Sequence, residues 1–122
     1  MDSTVLIGQP YDFVKDEVGS ANTQLDVTQA APDADKQHVV QFITFSMSAA
    51  PAAAVRVQLI EDLAGTPVEL MSWQVTAAAL QPVNISLKGI KVSAGKSITL
   101  RIPALGGTTR ASGSLAGMTR FR

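Results

Sequence analysis

A two-residue rhythm constrains this chain more than any single motif. From Gln37 onward, apolar and polar residues alternate in short runs, each cut off by glycine, proline or an Ala/Ser/Asp cluster. Successive side chains of a strand point to opposite faces, so such runs describe half-buried strands. Gln37–Ser48 is the longest. Val39, Ile43, Phe45 and Met47 share one face and His38, Thr44, Ser46 and Ser48 the other, while Val40 and Phe42 add apolar surface where both faces are covered. Val55–Asp62 follows with Val55, Val57 and Leu59 inward, then Val68–Val75 with Met71, Trp73 and Val75 opposite Val68 and Leu70. Val83, Ile85 and Leu87 alternate with Asn84, Ser86 and Lys88, and Ile98, Leu100 and Ile102 with Ser97, Thr99 and Arg101. A last, weaker strand runs over Gly113–Arg122, with Leu115, Thr119 and Phe121 on one side. Pro51 breaks the alanine-rich run 49–54, and Thr76–Gln81 has room for one short helical turn at most.

Residues 1–36 are less regular. Thr4–Ile7 reads as a short strand stopped by Gly8-Gln9-Pro10, Tyr11–Val18 has no clear period, and Leu25 and Val27 alternate weakly within Thr23–Thr28. The expectation is one all-β domain of 122 residues. It is an antiparallel β-sandwich, jelly-roll-like, of about seven or eight strands. Residues 1–36 supply an irregular N-terminal arm with the first short strands, and residues 37–122 the sandwich core.

Gly89–Ile102 contains Gly95-Lys96-Ser97, the ending of a nucleotide-binding phosphate loop. That loop needs four residues between its glycine and the Gly-Lys pair, and a helix opening behind it. Gly89 and Gly95 enclose Ile90 to Ala94, one residue too many, and Ser97–Ile102 alternates like a strand. The stretch reads instead as a hairpin whose Ala94-Gly95 turn takes a positive φ, with Lys96 solvated beside it.

Charge is scarce, 16% of residues, against roughly 25% in an ordinary soluble domain. A charge-poor chain of this kind hides surface in an assembly. The net charge is zero but unevenly placed. Asp2, Asp12, Asp16, Glu17, Asp26, Asp33 and Asp35 outweigh Lys15 and Lys36 near the start, whereas Lys88, Lys91, Lys96, Arg101, Arg110, Arg120 and Arg122 meet no acid after residue 80. The two regions are complementary, within a subunit or between neighbours. Asp12, Asp16, Glu17, Lys88, Lys91, Lys96, Arg101 and Arg120 are the candidate interface residues. The bases are spread singly along strands without interleaved aromatics, so no nucleic-acid groove is expected. No apolar run approaches the roughly 20 residues of a membrane-spanning helix, and no secretory signal is visible.

Nothing marks a catalytic, metal or cofactor site. His38 is the only histidine and there is no cysteine, which leaves a transition metal or a nucleophile triad without parts; His38 reads as a polar residue at a strand start. Glu61-Asp62 resembles the acidic end of a nucleotide-binding strand but lacks a phosphate loop to work with, and reads as turn chemistry. The acids at 12, 16 and 17, or at 33 and 35, lack the spacing of a calcium loop. Trp73 is either a core anchor or an exposed platform for a sugar or a partner, and its face-mates Met71 and Val75 favour burial.

The strand and turn Phe42–Pro51, the turn Leu63–Val68 and the stretch Ile90–Leu100 resemble small bacteriophage virion proteins of the head decoration or cement class. The resemblance is one of style over about two-thirds of the chain and transfers no functional residue. It implies a sandwich, often a homotrimer, that sits across joints between major capsid protein subunits and holds the shell against internal pressure. The protein would be made in the host cytoplasm and end on the capsid surface, without cofactor, nucleic acid or membrane. The acidic N-terminal segment would suit an arm onto neighbours. The other reading is a carbohydrate- or receptor-binding sandwich of a tail or fibre, with Trp73 or Tyr11 exposed in a shallow groove. An enzyme ranks last.

Overall fold

Eight strands and no helix make up the described part of the chain, residues 11–51, 53–76 and 83–121 of a computed structural model. They are β1 (Phe13–Val18), β2 (Leu25–Gln29), β3 (Lys36–Met47), β4 (Val55–Glu61), β5 (Val68–Val75), β6 (Val83–Lys91), β7 (Ile98–Ile102) and β8 (Ala111–Phe121). They form two four-stranded sheets. Sheet A has the order β1-β8-β3-β6 and sheet B the order β2-β7-β4-β5. Every pairing is antiparallel, and β1 with β8, β2 with β7, β3 with β6 and β4 with β5 nest like one long hairpin rolled over on itself. That is the jelly roll.

This topology corrects the hairpin expected at Gly89–Ile102. Its two halves belong to different sheets, β6 to A and β7 to B, so the Ser93–Gly95 turn bridges the sandwich. Alternation gives the faces of each strand and is blind to which sheet the next strand joins. Gly95 does take a positive φ, 72°, which suits a residue without Cβ. Its N–H donates to Lys36 O, Lys96 N–H donates to Ser93 O and Val92 N–H donates to His38 O. Groups that a phosphate loop would turn toward phosphate are spent on this chain's own carbonyls.

The core is aliphatic. Val27, Val40, Ile43, Phe45, Val57, Leu59, Ile98, Leu100, Ile102 and Leu115 are sealed between sheets packed about 10 Å apart. The inward sets expected for β4, β6 and β7 all pack in or against this cluster, and Leu25 and Val27 of β2 join it. Trp73 is half-buried against it together with Met71 and Leu70.

Three elements depart from the expected faces. In β5 the register against β4 slips between Leu59 and Ile60, so Leu70, expected opposite Met71, packs against the core beside it. Between Val40 and Phe42 the register of β3 against β8 slips by one, leaving Gln41 as a bulge. The inward set therefore changes parity, from His38 and Val40 before the bulge to Ile43, Phe45 and Met47 after it. Val39, expected inward, pairs with Met118 and Lys91 and lies outside the core cluster, while His38, expected outward, is 2% exposed. The stretch Tyr11–Val18, which showed no period, contains β1. Only Phe13 is buried there, because an edge strand hydrogen-bonds on one side and packs at one end. With β2 it narrows the irregular part expected over residues 1–36. The expected strand at 4–7 and most of the helical turn at 76–81 lie outside the described residues.

β8, the strand of weakest pattern, is central and pairs with both β1 and β3. Its small residues explain both properties. A Cβ built on Gly117 would lie 2.2 Å from Val39 O and 2.8 Å from the Phe13 ring, so only glycine lets the three strands close. On Gly113 it would meet only side-chain carbons of Ile102, Leu100 and Val27 at 3.3–3.4 Å. Gly117→Ala should cost about 3 kcal/mol or more in urea unfolding, and Gly113→Ala markedly less. Equal costs would show that the Gly117 approach is not what closes the sheet.

Candidate interaction surface

Polar side chains inside the sandwich serve its assembly. His38 Nε2 donates to Ala30 O at 2.7 Å, which places the proton on that nitrogen and leaves Nδ1 to accept from the Thr119 hydroxyl at 2.8 Å. The Phe13 ring meets the imidazole edge-on at 5.0 Å. His38 thus pins the β2–β3 loop to the β3–β8 pair. At the other sheet, buried Glu61 accepts Ser93 N–H at 2.7 Å, and Asp62, at φ 56°, stands 3.6 Å from Lys96 Nζ. Asp62 also caps its own turn by accepting Thr66 N–H. The acidic pair and the Gly-Lys-Ser turn do meet, as a clamp that ties the β6–β7 crossover to the end of β4.

The outer faces of the two sheets are finished differently. On sheet B, Asp26 takes both a 2.8 Å and a 3.0 Å bond from Arg101, and Glu69 accepts from Arg56 and Gln58. The bidentate hydrogen bond to Asp26 holds the Arg101 pKa above its ordinary value; partial burial opposes this, and the charge of Asp26 supports it. This is a solvated face laced with ion pairs.

The outer face of sheet A has almost no charge in its middle. Val14, Ala116 and Phe42 form one row across β1, β8 and β3; Met118 and Val39 form the next. Val14, Val18 and Met118 are exposed at 43%, 77% and 39%. The polar side chains between them bond sideways to each other. Thr44 Oγ1 donates to Asn84 Oδ1 at 2.6 Å, Ser46 and Ser112 share a 2.8 Å hydroxyl bond, and Gln41 Nε2 reaches Met118 Sδ at 3.9 Å. Groups already paired lose little when water leaves, so this face is inexpensive to cover. A shallow depression of about 190 Å³ lies over Thr44, Ser46, Ser112 and Ser114, rimmed by Asp16 and Val18.

The candidate interface residues distribute accordingly. Asp16 and Glu17 stand on β1, Lys88 and Lys91 on β6 and Arg120 on β8, all in sheet A and all exposed; Asp12, just before β1, accepts Thr119 N–H. Arg101 and Lys96 are not part of this group. Arg101 is satisfied by Asp26 on sheet B, and Lys96 sits in the crossover beside Asp62. The charge-poor face itself was missed by pattern reading, although Phe42, apolar and out of phase, was its visible trace. Among the described residues no group of three or more histidines, aspartates or glutamates is placed to hold a metal.

No family model and no curated protein matches the chain. Among solved structures it is similar to carbohydrate-binding module CBM36 in complex with calcium and xylotriose, at 19% identity and TM-score 0.42, over 86% of this chain and 78% of that one. It is also similar to a chain of infectious bursal disease virus Gx strain, at 16% identity and TM-score 0.36, over 91% of this chain and 33% of that one. Both likenesses are distant, and the strand order rests on this chain's own pairings.

His38→Ala should cost about 2–4 kcal/mol in urea unfolding, because it removes two buried hydrogen bonds and leaves Ala30 O without its donor. Glu61→Ala should cost about 2 kcal/mol, and Lys96→Ala less than about 1 kcal/mol, since an exposed ion pair adds little. A Lys96→Ala loss as large as that of Glu61→Ala would refute the clamp as drawn.

Proposed function

We propose that this chain is a structural virion protein, a capsid decoration or cement protein that works through contact area and without catalysis. The unequal finish of the two sheet faces carries the reading. A chain with one ion-paired face and one neutral, laterally satisfied face with exposed Val14, Val18 and Met118 is made to be covered on one side. Jelly rolls serve viral capsids and lectins alike, so the fold agrees with the reading without selecting it. The partner is the major capsid protein and the location the outer surface of the virion. A repeating shell lets many weak contacts add up, which a small domain can exploit.

A carbohydrate- or receptor-binding module of a tail or fibre is the second reading. The depression over Ser46, Ser112 and Ser114 favours it, offering hydroxyls and the Asp16 carboxylate to a sugar. It ranks second because neither Trp73 nor Tyr11 lines that depression and its one aromatic residue, Phe45, is buried, leaving a sugar ring no aromatic platform.

Sedimenting the purified chain with empty shells of its major capsid protein tests the proposal. The chain should travel with the shells and raise the temperature at which they open. A chain that stays in the supernatant at low and physiological salt, yet retains a glycan on an array, would overturn the cement reading in favour of the second.

A further inference from the structure

Resting on the reading that the outer face of sheet A is a contact surface, we infer that its occupant is a second copy of this chain. The pair is related by a two-fold axis running along the strands.

The sheet edges are poor places to join. Lys15 and Glu17 sit on β1 at positions of inward parity yet are exposed, so an added strand would bring its apolar side against charge. The β6 edge is irregular, with Leu87-Lys88-Gly89 set against the Gln41 bulge and Gly89 at φ 78°. The face remains. Four strands at about 4.8 Å spacing and up to about 40 Å of β3 give at most roughly 750 Å². That is close to the roughly 800 Å² that each partner of a stable complex buries.

Charge selects the partner and the axis. The middle of the face is neutral, its β1 margin carries Asp12 and Asp16, and its β6 margin carries Lys88 and Lys91. A two-fold axis along the strands lays the β1 margin of one copy over the β6 margin of the other. Asp12, tied to Thr119 N–H, stands level with Lys91, because Val39 pairs with both Met118 and Lys91. Asp16 stands level with Asn84, and Lys88, set against the bulge, falls between the levels of Asp12 and Asp16, so the Asp12–Lys91 contact, made twice by symmetry, is the one the register supports. An axis across the strands would set acid on acid. Arg120 comes to rest at the end of the face opposite Gln37, its neutral neighbour in the β3–β8 register.

A three-fold ring, as the family resemblance implied, needs two different complementary patches. Here one patch carries both signs and is complementary to itself, which is the requirement of an isologous pair. The strand-parallel axis also points the loops at residues 30–35, 62–67 and 92–97 of both copies the same way. The dimer therefore presents a doubled footing to the shell, so that two weak contacts act as one stronger one.

Sedimentation velocity of the full chain and its variants tests this, with circular dichroism melts to confirm folding. The wild type should be a dimer and Met118→Asp a monomer. Lys91→Glu should raise the dimer dissociation constant by about tenfold or more, and adding Asp12→Lys to it should bring the value back toward that of the wild type. A wild type that is monomeric or trimeric at every concentration, a dimeric Met118→Asp, or a charge swap without rescue would each overturn the pair. The shell assay separates the two proposals. A monomer that binds shells leaves the cement reading standing and removes the dimer, whereas a dimer that ignores shells does the reverse.

Discussion

The pairing of β3 with β8, from Lys36↔Phe121 to Met47↔Ala111, is the contact on which the rest of the sandwich depends. It joins segments far apart in sequence, so loop-closure entropy opposes it until the faces it creates are buried. Sheet A is assembled around it, with β1 laid on the free side of β8 and β6 on the free side of β3. The Gly117 approach to Val39 O sets how closely the two strands run at their most crowded point. The Gln41 bulge, one residue away, decides which side chains go in. His38 turns inward to hold the β2–β3 loop, and Val39 turns outward into the face that carries the functional reading.

That face is distinctive because of what its polar groups do. On sheet B, charges pair with charges and remain at the water boundary. On sheet A, hydroxyls and amides pair with each other across strands, and the charges withdraw to the margins. Both arrangements satisfy the side chains of an isolated domain. Only the second does so at little desolvation cost to a partner, and only its margins carry opposite signs. On the proposed reading, function is a property of how a surface is finished.

Much of the fold was legible in the sequence. Ile98, Leu100 and Ile102, or Val57 and Leu59, sit where their alternation puts them, since a strand with one buried face has only one way to obey its pattern. β1 was illegible because an edge strand with one buried side chain has no pattern to show. β8 was read as weak because Gly113, Gly117 and Ala116 are too small to register as apolar, although their smallness makes the centre of sheet A possible. The surface was half legible. The acidic and basic residues stood out as complementary, but Lys96 and Arg101 looked the same as Lys88 and Lys91 until the fold gave Asp62 to one and Asp26 to the other.

By itself the sequence determined the strand-rich architecture, the aliphatic core, the failure of the Gly-Lys-Ser motif as a phosphate loop and the shortage of charge. Each depends on spacing or composition within a few residues, where side-chain alternation and turn chemistry act. The tertiary structure alone decided that β6 and β7 lie in different sheets, that His38 turns toward the core while Val39, equally buried, lies outside the core cluster, and that one outer face is neutral with acid and base at opposite margins. Those outcomes depend on which strands become neighbours and where a bulge shifts their register, and pairing between residues distant in the chain settles both.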